Sequence, residues 1–449
     1  MVNHYTKKRC VYVVHSVDTE GPLSESLEST FARIESLIGM QFEPSIELLE
    51  KIQNETLPLN GKEKLASKIF SKDLLDYNDS WEKLDRMLYV IMSNVFRNHF
   101  LDSRGTGYKF SWHCVDHVGY VSNPRKKDLG HHKIFDHYKK IIEETNSTDQ
   151  IHWHFHPMSF YKESHRSGFS YENSPHLHEV ICRKIIERNW FPTVFRAGFH
   201  VERPDIHLFL EQWIPFDISN MSSDDDKESQ LDLQNGRFGN WNFAPNDWSI
   251  YHPDHDNYQL VGNCRRYIAR ILNLGTRYSN ITQLEVDKAF SRANSHLPTI
   301  LGVTNHDFRN IQKDVVTFYE MLIKSKEKFP DVEFVFCDAK EAFRNAIYGE
   351  EFNFPKVELN VNIEKKDSSI VLKVDLLNGQ VFGPQPYLAV KTKTERFFHD
   401  NLDLIEIGKK WAYTFDNDTI IPEDISIISI SCNDKYGNNF IKTIEIENL

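Results

Sequence analysis

The sequence has no long hydrophobic run, few cysteines and no extended basic stretch, and each absence excludes a class of protein. No stretch of about 18 apolar residues occurs, which excludes a membrane-spanning helix on length. The six cysteines stand far apart without a CxxC pair, a spacing typical of reduced thiols rather than of a zinc ribbon or a disulfide framework. No run of Lys and Arg exceeds three residues and the formal charge is −12, so the chain lacks the basic footprint of a nucleic-acid-binding protein.

The amino terminus also lacks an export signal. A short apolar stretch follows MVNHYTKKR and runs directly into acidic residues, without a signal-peptide core or a small-residue cleavage site. We therefore expect a cytoplasmic protein.

The composition is that of a globular chain. Hydrophobic residues make up 40% and aromatic residues 13% of 449 positions, enough to build a large core. A chain of this length predicts two domains, one of them with an insertion.

Short apolar runs that end in polar residues alternate with helical patterns through the first 350 residues. Examples of the runs are QIHWHFHP, FPTVFRAGFH and TILGVTNHD, and SPHLHEVICRKIIERN is one of the helical patterns. This alternation predicts an α/β fold with parallel strands, and polar residues at strand ends favour a (β/α) barrel. Residues of about 24–104 show helical spacing and are interpreted as a helical insertion.

The pattern changes in residues 351–449. Runs such as SSIVLKVDLL and DISIISISC alternate with turn residues and show little helical periodicity. They predict a small β-sandwich accessory domain. Within residues 1–350, the acidic stretch at 222–229 is predicted to be a solvated loop.

Two acidic residues mark the end of the first predicted strand. Asp18 and Glu20 are two positions apart, so both carboxylates face the same side if the strand continues, and Gly21-Pro22 then ends it. One carboxylate can bind a metal while the other serves as a base.

The most specific local signal is the segment 151–157, IHWHFHP. His152, His154 and His156 alternate on a strand-like segment and project to one side, and neutral imidazoles are the usual ligands of a catalytic divalent ion. The pattern leaves open which two of the three bind metal.

Two later strand ends carry further candidates. His306 can protonate a leaving group, with either Asp307 or Asp217 as the acid that holds it. Arg196 can orient a catalytic carboxylate through bidentate hydrogen bonds.

Aromatic and polar stretches elsewhere resemble sugar-facing surfaces, since Trp and Tyr cover pyranose rings while Asp, Asn and His bond hydroxyl groups. The candidate substrate-binding residues are His113, Asp116, His117, His200, Trp241, Asp247 and His252.

The order of these motifs resembles the polysaccharide deacetylases of carbohydrate esterase family four, the NodB homology domain. The resemblance covers residues of about 10–345, interrupted by the insertion. It implies a distorted barrel of seven strands and metal-assisted removal of N-acetyl, or O-acetyl, groups from sugars. The Asp-Thr-Glu and HxHP forms are closest to the divergent branch associated with lipopolysaccharide and capsule biosynthesis.

The resemblance also implies a role for each motif. Asp18 falls on the base and Arg196 on the arginine that positions it. Thr19 stands where the family has a metal-binding aspartate, so Glu20 takes that role. The paired metal histidines fall on His154 and His156, or on His152 and His156.

The general acid falls on His306, and the aspartate that tunes it falls nearest to Asp217. The expected cofactor is a divalent metal, Zn²⁺ in the first place. The expected partner is a sugar or oligosaccharide, lipid-linked or nucleotide-linked, and a homo-oligomer is compatible with the sequence. Two alternatives stay open, a catalytically degenerate barrel that binds glycan or scaffolds an assembly, and a hydrolase of another amide or formyl group.

Overall fold

A computed structural model describes residues 8–166, 168, 170–172, 174, 176–224, 239–276 and 278–446. Most of the acidic stretch at 222–229 lies outside the described residues.

Seven parallel strands form a closed barrel. They are β1 (Cys10–Thr19), β2 (Phe110–Cys114), β3 (Gln150–Phe155), β4 (Val194–Ala197), β5 (Phe216–Asn220), β6 (Tyr267–Asn273) and β7 (Thr299–His306). Each strand pairs with the next, and β1 pairs with both β2 and β7, which closes the ring. An eighth parallel strand, β8 (Glu333–Phe336), pairs with the first residues of β1, just before the stretch that pairs with β2.

Helices follow most barrel strands and cover the outside. They are α7 (Lys133–Glu144), α8 (Leu177–Arg188), α9 (Pro204–Trp213), α10 (Gln283–Asn294) and α11 (Ile311–Lys328). A further helix, α12 (Ala339–Tyr348), follows β8. The mixed α/β class with a parallel barrel, predicted from the alternation of runs, is confirmed.

The alternation of side chains along β1 explains how the barrel is built. All ten residues are buried, because a barrel strand is covered on both faces. Val11, Val13 and Val17 share a hydrophobic cluster with residues of α10 and α11 and so face outwards. The even-numbered side chains, including Tyr12 and Asp18, face the interior.

The amino-terminal opening of the barrel is closed by α12. This helix contacts β1, β5 and β7, and Phe343 stacks on Phe216 with ring centroids 4.7 Å apart. Because β1 and β5 lie on opposite sides of the ring, α12 must cross the opening. The opposite opening, at the carboxyl ends of the strands, is lined by polar side chains and is called the mouth.

Six helices lie between β1 and β2, in the segment predicted as an insertion. They are α1 (Leu27–Ile38), α2 (Ile46–Gln53), α3 (Glu63–Ile69), α4 (Lys72–Leu75), α5 (Trp81–Ile91) and α6 (Asn94–Arg97). Ser26, Ser45 and Ser80 cap α1, α2 and α5 through side-chain oxygens that accept backbone N–H groups. Helices α1–α3 enclose a small hydrophobic cluster of their own, whereas α5 packs on the barrel.

Two four-stranded antiparallel sheets follow the barrel. Their strands are β9 (Glu358–Lys366), β10 (Ser369–Asn378), β11 (Tyr387–Thr392), β12 (Phe397–Asp400), β13 (Asp403–Glu406), β14 (Lys410–Phe415), β15 (Ile425–Asn433) and β16 (Asn439–Glu445). Leu372 and Trp411 of one sheet share a core with Val390 and Ile428 of the other. Within the described ranges, no helix is long and apolar enough to cross a membrane.

Candidate metal centre

Five strands bring the predicted motifs to one mouth of the barrel. Asp18 of β1 lies in register with His113 of β2 and with His306 of β7. His154 of β3 lies in register with Arg196 of β4. Side chains in register point the same way, so all five face the interior.

Glu20, His154 and His156 form a buried group whose ligand atoms all lie within 4.8 Å of one another. The Nε2 atoms of His154 and His156 are 3.0 Å apart, and His156 Nε2 is 3.4 Å from Glu20 Oε1. Two ligands about 2.1 Å from one tetrahedral ion lie about 3.4 Å apart. The donor set and its spacing therefore could hold a divalent ion.

The surroundings of the two histidines favour ligation through Nε2. His154 Nδ1 lies 2.9 Å from the Arg196 carbonyl oxygen, so Nδ1 carries the proton and Nε2 presents its lone pair to the mouth. Gly198 lets the next strand end approach His156 closely, since a Cβ there would lie 2.2 Å from His156 Cδ2.

Charge in the group also suits a metal. Burial lowers the pKa of both His154 and His156, so both imidazoles are neutral near pH 7. Burial raises the pKa of Glu20, but the positive charge of Lys127 is the largest opposing effect, and the pKa is held well below its usual range. The group thus offers two neutral nitrogens and one carboxylate, the states that bind metal.

The outward orientation of Thr19 explains why Glu20, and not Thr19, belongs to the metal-binding group. Thr19 lies in register with Cys114 on the outward face, and its Oγ1 donates to the His113 carbonyl oxygen at 3.0 Å. The following residue, Glu20, returns to the inner side.

Arg196 contacts Asp18 through one N–H donor, where the sequence predicted a bidentate pair. Arg196 Nε donates to Asp18 Oδ1 at 3.0 Å, and the guanidinium is fully buried. Its Nη1 donates to the Ile218 carbonyl oxygen at 3.3 Å, and its Nη2 lies 2.8 Å from His200 Nδ1. These contacts fix the carboxylate beside the metal-binding group.

His306 is the most exposed member of the mouth, with 19% of its side chain accessible. Its Nε2 lies 3.9 Å from Asp18 Oδ2 and 3.8 Å from Glu20 Oε1. Burial lowers its pKa to about 4, although the two carboxylates act to raise it. The imidazole is therefore neutral at neutral pH, and it must accept a proton before it can donate one.

The two aspartates considered as partners of His306 lie elsewhere. Asp307 accepts the backbone N–H groups of Glu20 and Gly21, at 2.9 and 2.8 Å, and the Tyr138 hydroxyl at 2.9 Å. Burial raises its pKa to about 7 against the effect of these donors. Asp307 thus fixes the backbone that carries Glu20, and in the described part of the chain no hydrogen bond or ion pair joins its side chain to His306.

Asp217 lies in register with the outward-facing Phe195, so it points away from the mouth. Its Oδ2 lies 3.4 Å from Arg266 Nε, in a buried network with Glu202 and Glu211. Burial, and then the charge of Asp217, raise the pKa of Glu202 above its usual range.

His152 faces the interior but lies one level below the metal-binding group. Its Nε2 is 3.5 Å from Asp338 Oδ1, and its ring packs at 5.2 Å from that of His113. Its partner, the Asp338 carboxylate, lies two residues after the end of β8.

Three of the predicted substrate residues lie at or next to the mouth. His117 Nε2 is 3.1 Å from the Glu20 carbonyl oxygen, His200 contacts Arg196, and Trp241 Nε1 donates to the His200 carbonyl oxygen at 3.1 Å. His113 sits within the barrel, fully buried.

The other three predicted substrate residues make contacts outside the barrel mouth. Asp116 binds Lys184 at 3.0 Å, Asp247 pairs with Arg292 at 2.8 Å, and His252 Nδ1 lies 3.0 Å from the Arg266 carbonyl oxygen.

Lys127 is a site residue that sequence reasoning missed. Its ammonium binds Glu20 Oε2, and both side chains are buried. It belongs to the run Arg125-Lys126-Lys127, one of the short basic runs of the sequence. The contact leaves Glu20 Oε1 as the oxygen that faces the histidines.

Comparisons with known proteins give no relative: no family model, no curated protein and no solved structure matches the chain.

Proposed function

We propose that this chain is a metal-dependent deacetylase that removes N-acetyl, or O-acetyl, groups from a sugar during assembly of a surface polysaccharide. The proposal is carried by three features that lie together at one barrel mouth. They are the Glu20–His154–His156 group, the Asp18–Arg196 pair and His306.

The metal group and the carboxylate have separate roles. Glu20, His154 and His156 would hold a divalent ion, Zn²⁺ in the first place, which when bound supplies Lewis-acid polarisation of the acyl carbonyl and of water. Asp18 takes the proton of the attacking water, and Arg196 keeps its carboxylate oriented.

His306 completes the proton path. It is neutral at rest and stands 3.9 Å from Asp18, so it can receive the proton that Asp18 removes. The imidazolium then donates to the departing amine, as a general acid must. Free amino sugar and acetate are the products.

The decisive experiment joins metal content to product analysis. Purified protein is equilibrated with Zn²⁺, dialysed, and assayed for bound metal and for acetate released from N-acetylated amino sugars, free and as diphosphate esters. We expect about one ion per chain and loss of both metal and acetate release in His154→Ala and His156→Ala. His255→Ala is the control, since that side chain is 76% exposed.

Two results would contradict the proposal. Wild-type protein that binds no divalent ion and releases nothing when one is added would favour a glycan-binding barrel. Release of formate, or of another acyl group from a small amide, would keep the metal chemistry and change the substrate.

A further inference from the structure

Three arginines gather beside the mouth, each from a different segment. Arg33 belongs to α1 of the insertion, Arg125 to the loop after β2, and Arg309 follows the end of β7. Arg33 Nε and Arg125 Nε lie 3.0 and 3.3 Å from the same atom, Glu25 Oε1. The Arg309 guanidinium lies over the Phe308 ring, 5.2 Å from its centroid.

The cluster has more positive charge than its carboxylate can balance. The Glu25 side chain is 2% exposed and, within the described ranges, forms ion pairs with two of the three arginines, Arg33 and Arg125. In the same ranges Arg33 Nη2 and Arg309 Nε are buried without a hydrogen-bond partner. Burial lowers the pKa of both arginines, and repulsion from Arg125 lowers it further. Two positive charges and at least two donor atoms are thus left over.

The cluster is tied to the reacting groups. Arg309 N–H donates to the His306 carbonyl oxygen at 3.2 Å, and Arg125 stands two residues before Lys127, which binds Glu20. Asn78 of the insertion donates to the carbonyl oxygens of Asp307 and Arg309, at 2.8 and 3.2 Å. The insertion therefore docks on the segment that carries Arg309, and its first residues join Arg33 to Arg125 through Glu25.

We propose that Arg33, Arg125 and Arg309 form an anion subsite that binds the phosphate or diphosphate through which the acylated sugar is attached to its carrier. Guanidinium groups bind phosphate oxygens with paired N–H donors. Three guanidinium groups and one carboxylate leave a net charge of about +2, which complements the charge of about −2 on a sugar diphosphate. The proposal rests on the proposed function for the sugar, but the anion site itself is testable alone.

The test measures binding of inorganic pyrophosphate to the full chain by isothermal titration calorimetry at low salt, after removal of divalent ions with a chelator. Saturable 1:1 binding is expected, weakened at least about tenfold in Arg33→Met and in Arg125→Met. Arg125→Lys keeps the positive charge but removes the paired N–H donors of the guanidinium, and it should weaken binding less than Arg125→Met. Circular dichroism checks folding, and Arg188→Met, which removes a partly exposed arginine paired with Asp136, should bind as wild type.

The carrier is distinguished by two further probes, uridine diphosphate and farnesyl diphosphate. Tighter binding than pyrophosphate by one of them supports the subsite and identifies a nucleotide or a lipid carrier. Absence of saturable binding in wild type, or wild-type affinity in folded Arg33→Met and Arg125→Met, would overturn the proposal. His156→Ala should still bind pyrophosphate even if acetate release proves absent, so failure of the deacetylase assignment would show separately.

Discussion

The barrel mouth and the carboxyl-terminal sheets bury their residues in different ways. All ten residues of β1 are buried, and the strand carries Asp18 inside the protein, whereas β14 alternates exposed residues with buried Trp411, Tyr413 and Phe415. Burying charged groups costs free energy unless partners compensate. The mouth keeps a dense set of buried acids and histidines, which indicates chemistry, while the alternation in β14 indicates packing. A variant at the mouth should therefore lose activity and stay folded, whereas a variant of a buried aromatic residue in β14 should lose stability and keep the metal site.

The largest effect is expected for Asp18→Asn. Loss of the base should lower kcat for acetate release by about 10²–10⁴-fold while the chain remains folded. The matched variant is Asp400→Asn in the sheets, where the carboxylate accepts the Tyr413 hydroxyl at 2.7 Å. Steady-state kinetics and thermal melting should separate the two, and equal activity of Asp18→Asn and wild type would remove Asp18 from the mechanism.

Trp411→Ala should reverse this behaviour. Trp411 is 1% exposed and its Nε1 donates to the Pro384 carbonyl oxygen at 3.0 Å. Its loss should lower the free energy of unfolding by about 3–5 kcal/mol. Denaturant titration measures this, and the metal content of the folded fraction should not change. Loss of bound metal from that fraction would show that the sheets and the mouth are coupled.

Gly198→Ala should weaken metal binding by about 10–100-fold, because the new methyl group would push His156 away from Glu20. Competition with a chromophoric chelator measures the affinity. The control is Gly408→Ala in the sheets, which has φ +70° and no neighbour within 4 Å of the added Cβ, and so costs stability alone. Unchanged zinc affinity in Gly198→Ala would exclude His156 as a ligand.

The smallest effect concerns the contact between barrel and sheets, where His399 stacks between Tyr387 and His178 at 4.0 and 4.5 Å. Burial lowers the pKa of His399 to about 4. Between pH 6.5 and 4 the unfolded chain binds a proton that the folded chain does not, so stability falls as the pH falls through this range.

His399→Phe keeps the ring and removes this titration. The slope of unfolding free energy against pH should become shallower by at most about 1.4 kcal/mol per pH unit. His99→Phe, at an exposed position of the insertion, should keep the wild-type slope. A slope for His399→Phe equal to that of wild type would mean that this ring does not titrate between the two states.

Much of the mouth could be predicted from the sequence because strand periodicity is local. Alternation alone places Asp18 with Glu20, and His154 with His156, on one face, and the structure brings the two pairs together. Alternation could not choose between His152 and His154, because both face inwards and differ only in their level along the barrel.

Contacts between distant segments could not be predicted. Lys127 reaches Glu20 across 107 residues, and Arg33, Arg125 and Arg309 meet only because the insertion docks on the loop after β7. Asp217 follows an apolar run much as Asp18 does, yet its phase along β5 turns it outwards.

The sequence by itself therefore determined the order of strands and helices, the inward or outward face of alternate residues, and the residue types available for chemistry. These follow from backbone periodicity and side-chain polarity, which act over a few residues. Only the tertiary structure decided which strand ends lie at the same level of the barrel. It also decided that Lys127 binds one particular oxygen of Glu20, and that the three arginines with excess positive charge lie close together. Register and loop docking depend on the packing of the whole barrel, and no local pattern encodes them.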